Sequence, residues 1–227
     1  MQRFGYFRRV SCFRAVCAAF VLCLSMGAIP AISLEMGQSG RIQLATIDPS
    51  ISEADRADIK RIERYLNSIT TMTARFVQIT DDGRYSEGKL FLSRPGRLRF
   101  EYEPPVPVLM VANRGTLIYY DAQLEQVSYV DIDSTPLWFI TRPEVNFSDP
   151  GIIVSDFVRE AGVVRVALVQ ADDPDAGQVI LSFSEAPLEL RKWTVIDGQG
   201  VSVNVALFNA ETGMSLARSL FEFKDPS

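Results

Sequence analysis

Asp131 and Asp133 are the two side chains in this sequence whose spacing best suits bond-breaking chemistry. They lie two positions apart at the predicted end of a strand, so they would project from one face. Paired carboxylates can divide the roles of general acid and general base. A plainer reading competes, because acidic residues where a strand gives way to a helix serve mostly as turn and cap residues. Composition closes the other familiar routes. The 227-residue chain contains no histidine, which removes the commonest general base and the commonest zinc ligand. Its three cysteines, Cys12, Cys17 and Cys23, all lie near the N-terminus. If that region is a cleaved leader, the mature chain has no thiol, no disulfide and no Cys–His or Ser–His–Asp machinery. Only Ser–Lys would remain beside the carboxylates. The sequence therefore points away from an enzyme: no catalytic residues, cofactor or metal site are expected, and a carboxylate hydrolase ranks last among the readings.

The first 33 residues read as a signal peptide. Arg3, Arg8, Arg9 and Arg14 precede an apolar run from Ala15 to Met26, and no acidic residue occurs before Glu35. That run is too short to span a bilayer core of about 30 Å. Small residues then offer cleavage after Gly27 or after Ser33. Arg8-Arg9 is a weak twin-arginine signal, because Ser11 and Cys12 follow where apolar residues are expected. Leu22 stands before Cys23 where a lipidation site wants a small residue. Of 23 basic residues four lie in this leader, which leaves 19 against 28 acidic ones and a net charge of −9. An acidic surface argues against nucleic acid or anionic headgroups as partners. It says nothing against an apolar ligand held inside.

Residues 34–51 look like an irregular arm, and residues 52–227 like a single domain. Ser52 and Asp55 have capping-box spacing, and Ile59, Ile62, Leu66 and Ile69 make the apolar stripe of an amphipathic helix. From Thr70 the period changes to two. Met72, Ala74 and Phe76 alternate with polar residues, then Gly88, Leu90 and Leu92, then Leu98, Phe100 and Tyr102. Asp81-Asp82-Gly83 and Asn113-Arg114-Gly115 are turn signals. Further strands are expected at Val108–Ala112, Thr116–Asp121 and Gln126–Asp131. The series breaks at Ser134-Thr135-Pro136, where Ser134 is a candidate N-cap for a short helix through Trp138 and Phe139. Five more strands follow from Ile152 to Phe208, with a bulge expected between Leu190 and Trp193. Phe221 and Phe223 are placed to close the sheet edge. About eleven antiparallel strands must curl or close. Two helices are too few to cover both faces, so they plug or lid one side.

Residues 88–140 resemble a known family. Gly88, Leu90-Phe91-Leu92, Arg94-Pro95 and Phe100 are similar to the strand–turn–strand of LolA carriers. So are Gly115-Thr116-Leu117, Tyr119-Tyr120-Asp121, Glu125-Gln126-Val127 and Thr135-Pro136. Phe76, Gln78, Trp193, Asp197 and Phe221-x-Phe223 extend the resemblance over residues 53–226. It implies an α+β, mainly β domain: an open, incomplete antiparallel barrel with helices as a lid over an apolar cavity. It further implies a monomeric periplasmic carrier whose cargo is acylated lipoproteins. An inner-membrane ABC transporter would release them, and an outer-membrane receptor or the membrane itself would accept them. By the same resemblance Arg94 latches the lid. Leu98, Phe100, Tyr102, Met110, Ile118, Tyr120, Trp138 and Phe139 are the expected cavity lining. Some carriers continue beyond the Phe-x-Phe segment, so the acceptor is the open point. A lipid or lipoprotein sensor of the same fold is the alternative, although such proteins usually carry an additional domain.

Overall fold

The computed structural model describes residues 51–224. The expected signal peptide and the arm up to residue 50 lie outside the described residues. Helix α1 spans Glu53–Ser68. Ser52 starts it through a reciprocal cap: its hydroxyl accepts from the Asp55 N–H at 3.2 Å, and the Asp55 carboxylate accepts from the Ser52 N–H at 3.3 Å. Ile59, Ile62 and Leu66 form its buried stripe, continued by Ile69 just past its end.

Eleven strands follow: β1 Thr71–Thr80, β2 Tyr85–Ser93, β3 Arg97–Tyr102, β4 Val108–Asn113, β5 Thr116–Asp121, β6 Gln126–Asp131, β7 Ile152–Glu160, β8 Val163–Gln170, β9 Gly177–Glu185, β10 Leu188–Asp197 and β11 Ser202–Thr212. All pairings are antiparallel, in the order β6-β5-β4-β3-β2-β1-β11-β10-β9-β8-β7. Nine of the ten pairings join strands consecutive in sequence; the exception is β1 with β11, which joins two meanders into one curled sheet. The edges β6 and β7 are not paired with each other, so the barrel is incomplete. The segment from Ile132 to Gly151 links those two edges and carries the single-turn helix α2, Trp138–Thr141. At the seam, the Gln170 amide donates to the Asp133 carbonyl at 3.1 Å.

Alternation decides which face is the core. Met72, Ala74 and Phe76 on β1, Leu90 and Leu92 on β2, and Val203, Val205 and Leu207 on β11 share one buried cluster with the stripe of α1. The expected bulge is present, as a register shift between Leu190 and Lys192 against β9.

Two local readings are corrected. Ser134 does not cap α2. It ends a 3₁₀ turn, Ile132–Ser134, and its hydroxyl donates to the Asp131 carbonyl at 2.8 Å. The buried Thr135 hydroxyl instead accepts from the Leu137 N–H at 3.2 Å. Nor do Phe221 and Phe223 close the sheet edge. Residues Arg218–Phe221 form a 3₁₀ turn lying on the outer face of β3 and β4. Arg99 Nη1 donates to the Leu220 carbonyl and the Asn113 amide to the Phe221 carbonyl, both at 3.2 Å.

Gly88 shows how tightly the inner face is packed. It pairs with Phe76 on β1 and with Tyr102 on β3. The two rings meet edge-to-face at 5.0 Å across this row. A Cβ on Gly88 would lie 2.0 Å from the Glu101 carbonyl oxygen and 2.8 Å from the Phe76 ring. Gly88→Ala is therefore expected to cost about 2 kcal/mol through overpacking. Urea unfolding of the mature protein checks this; a midpoint equal to wild type would refute it.

Candidate functional site: an apolar hollow under a tied lid

Between the inner face and the lid lies a partly open hollow of about 50 Å³. Phe100, Tyr102 and Met110 form one wall, Trp193, Val195, Val203 and Val205 the other. Gln78 stands between them on β1, and Pro136 and Leu137 of the lid segment form the roof. A second, smaller space of about 10 Å³ lies under α1, lined by Leu66, Ile69, Leu92, Arg94, Phe139, Ile140, Val145 and Leu190. Trp193 links the two regions: its ring stands 6.3 Å from Phe100 and 6.0 Å from Phe139, edge-on to both.

The lid is two pieces tied into one. The Asn67 side chain pairs with the backbone of Val145 in both directions, donating to its carbonyl and accepting from its N–H, each at 2.8 Å. The Phe147 N–H donates to Glu63 at 2.5 Å. Within the linking segment, the Arg142 guanidinium sits 4.9 Å above the Trp138 ring and pairs with Asp149 at 3.1 Å.

Two sides of the sheet hold this lid differently. On the β7–β10 side, Arg61 donates to the Glu185 carbonyl at 3.1 Å, and the Leu190 N–H donates to the Tyr65 hydroxyl at 3.0 Å. Asp58 also pairs with Arg159 there. Burial pushes the Tyr65 hydroxyl pKa up, so it remains protonated at neutral pH. On the opposite side, between β2 and β3, Arg94 reaches both lid pieces. Its Nη1 donates to the Leu66 carbonyl at 2.6 Å and to the Ile69 carbonyl at 3.4 Å, and its Nε donates to the Arg142 carbonyl at 2.8 Å. The first two are C-terminal carbonyls of α1, where the helix dipole favours a cation. Beside it, the Gly96 N–H donates to the Thr141 carbonyl at 2.8 Å. Burial lowers the Arg94 pKa, but a guanidinium starts so high that it stays charged at neutral pH.

The expected lining residues divide into three groups. Phe100, Tyr102 and Met110 border the hollow, and Leu98 is buried on the same inner face nearer Arg94. Trp138 and Phe139 are buried in the lid, with Phe139 bordering the second space. Ile118 and Tyr120 are on the wrong face. The hairpin between β4 and β5 has two central residues at positive φ, Arg114 and Gly115, and pairs Ala112 with Leu117 and Met110 with Tyr119. Leu117 and Tyr119 therefore point inward, while Ile118 and Tyr120 point out; Tyr120 meets the Phe223 ring at 5.6 Å. Gln78, Trp193, Val195, Val203 and Val205 were missed as lining. Their inward phase was readable, but which strands face one another across the hollow depends on the β1–β11 pairing.

The two carboxylates have local roles. Asp131 ends β6 and accepts from the Asp133 N–H at 3.0 Å, and Asp133 lies in the following turn, not on a shared strand face.

Residues 67–224 match the family described as Outer membrane lipoprotein carrier protein LolA. The chain belongs to the LolA family. An outer-membrane lipoprotein carrier protein of Azotobacter vinelandii is 30% identical over 78% of this chain and 88% of its own length. One from Methylococcus capsulatus is 28% identical over the same shares. A solved LolA superfamily protein from Nitrosomonas europaea aligns at 8% identity and a TM-score of 0.42, covering 72% of this chain and 97% of that one. In this LolA-family chain the matched region begins within α1 and includes the whole sheet, the linking segment and Arg94.

Asn67→Ala is expected to free the linking segment from α1, since it strands one backbone donor and one acceptor, each costing about 1–3 kcal/mol if left unmet. Hydrogen exchange at Val145 and Phe147 should accelerate while β1, β10 and β11 keep wild-type protection. Unchanged exchange at Val145 would show that Asn67 does not join the two lid pieces.

Proposed function

We propose that this protein carries lipoproteins through the periplasm by holding their acyl chains between the curled sheet and the lid. An inner-membrane ABC transporter supplies the cargo, and an outer-membrane receptor or the outer membrane itself accepts it. The observation that carries this reading is the apolar hollow, open to solvent yet roofed by a lid that Arg94 grips on one side. Family membership supports it.

The physical need is plain. Each acyl methylene exposed to water costs about 0.8 kcal/mol, so a chain of about 15 methylenes carries on the order of 12 kcal/mol. Acyl chains cannot cross an aqueous gap unshielded. With the lid down the hollow holds only about 50 Å³, far below the roughly 300–1,000 Å³ usual for small-ligand sites. Several acyl chains on one cargo need more room, so the lid must rise to admit them. Leu98, Phe100, Tyr102 and Met110 then form the exposed wall, and Trp138 and Phe139 the underside of the lid. Arg94 acts as the latch of the empty state, closing the carrier through main-chain carbonyls and giving way when cargo enters.

A latch that favours the closed state lowers apparent affinity by the fraction of molecules that are open. Arg94→Leu should therefore bind acyl chains more tightly, by about tenfold, and release them more slowly. The mature protein, stripped of lipid, is titrated with the fluorophore 1-N-phenylnaphthylamine and then with a palmitoylated peptide as competitor. Saturable binding displaced by the peptide is expected for the wild type. Absence of binding in both wild type and Arg94→Leu would sink the carrier reading. Equal affinity and equal release rates in the two proteins would sink the latch alone.

A further inference from the structure

Gln78 is a polar side chain where the fold calls for an apolar one. It occupies an inward position of β1, two residues from the fully buried Phe76, and only 6% of it is exposed. Its Oε1 accepts from the Tyr102 hydroxyl at 2.8 Å. The amide also carries two N–H donors, and neither meets a protein acceptor among the described residues. The amide nitrogen is not sealed in the core but keeps contact with the open hollow, so its donors are available to whatever occupies that space. The side chain borders the hollow, and the lining there is otherwise apolar apart from Tyr102 itself.

Resting on the carrier reading, we propose that Gln78, oriented by Tyr102, hydrogen-bonds the carbonyl oxygen of the ester or amide that joins an acyl chain to its head group. Tyr102 fixes which end of the amide faces the ligand. Because its hydroxyl donates to Oε1, the donating Nε2 is the end left for the ligand. That arrangement selects an acceptor, and a carbonyl oxygen is one. A free carboxylate is disfavoured, because no cationic side chain lines this hollow and an unpaired buried charge is costly.

Position agrees with this role. Gln78 pairs with Ser86 and Val205, toward the β1–β2 turn, whereas Arg94 follows the other end of β2. A chain whose carbonyl meets Gln78 can run past Trp193 toward Phe139 beneath the lid. The linkage and its head group then stay at the end of the hollow away from the latch. Burial, with Tyr119 on the same inner face as a lesser contribution, holds the Tyr102 phenol protonated.

A matched pair of ligands isolates the carbonyl. 1-Monopalmitoylglycerol and 1-O-hexadecylglycerol share head group and chain length, but only the first has a carbonyl. Each is used to displace 1-N-phenylnaphthylamine from the mature wild type, Gln78→Leu and Tyr102→Phe. The wild type should prefer the ester by about fivefold or more, the size of one hydrogen bond. Gln78→Leu should show no preference between the two ligands. Tyr102→Phe, which removes only the hydroxyl, should show a reduced preference and serves if Gln78→Leu fails to fold. A preference that survives in Gln78→Leu, an equal loss for both ligands, or no preference in the wild type would overturn the proposal while leaving the carrier reading intact. A wild type that binds the fluorophore but is displaced by neither lipid would overturn both.

Discussion

The antiparallel pairing of β1 with β11 is the constraint from which the rest of this structure follows. Every other strand pairing joins neighbours in sequence and needs only a short turn. This one closes a loop of more than a hundred residues and brings Phe76 beside Leu207 and Gln78 beside Val205. Closing so long a loop is entropically unfavourable and must be offset by burial along one of the longest ladders in the sheet. Without it there would be two meanders, each with one greasy face. With it, the walls carrying Phe100 and Trp193 stand opposite each other across β1, and a hollow exists between them.

The barrel stays open for an equally local reason. β6 and β7 are joined by a segment that is spent crossing the gap and folding into α2, and so the two edges are linked without being paired. That segment is anchored to α1 through Asn67 and Glu63. The open side of the sheet and the lid are thus parts of one arrangement. Several side chains hold α1 to the β7–β10 side, whereas Arg94 supplies the side-chain grip on the β2–β3 side.

Much of this was legible in the sequence, and the failures have physical causes. The cap at Ser52, the stripe from Ile59 to Ile69, the strand series and the Leu190 bulge are local features, written in residue types a few positions apart. The face of β5 was not. Leu117, Ile118, Tyr119 and Tyr120 are apolar or amphipathic in an unbroken run, so a period of two gives no phase. The tight Arg114-Gly115 turn sets the phase instead, by carrying the inward direction of Ala112 across to Leu117. The outward pair, Ile118 and Tyr120, looked like lining because the apolar segment covering that face comes about a hundred residues later. That segment was itself misread: Phe221 and Phe223 alternate as a strand would, yet the carbonyls of Leu220 and Phe221 are taken by Arg99 and Asn113, and the segment packs as a patch on the outer face. Arg94 was singled out by resemblance alone. Nothing in its spacing announces three carbonyl partners drawn from two separate segments.

In the carrier proposed above, the chemistry of Arg94 would allow its grip to be released without an energy source. Hydrogen bonds from a charged donor are worth about 1.5–3 kcal/mol, and two of its acceptors are helix C-terminal carbonyls. Against this, the guanidinium is half-buried, and its Nη2 is buried with no partner among the described residues. Burying a charge whose donors are incompletely met gives back much of what its bonds gain. The closed state is thus favoured by a small margin drawn from larger opposing terms. Acyl burial, at about 0.8 kcal/mol per methylene, exceeds that margin within a few carbons of chain. On that proposal, a tighter latch with every donor satisfied would keep cargo out, and an apolar residue in its place would let the hollow stand open.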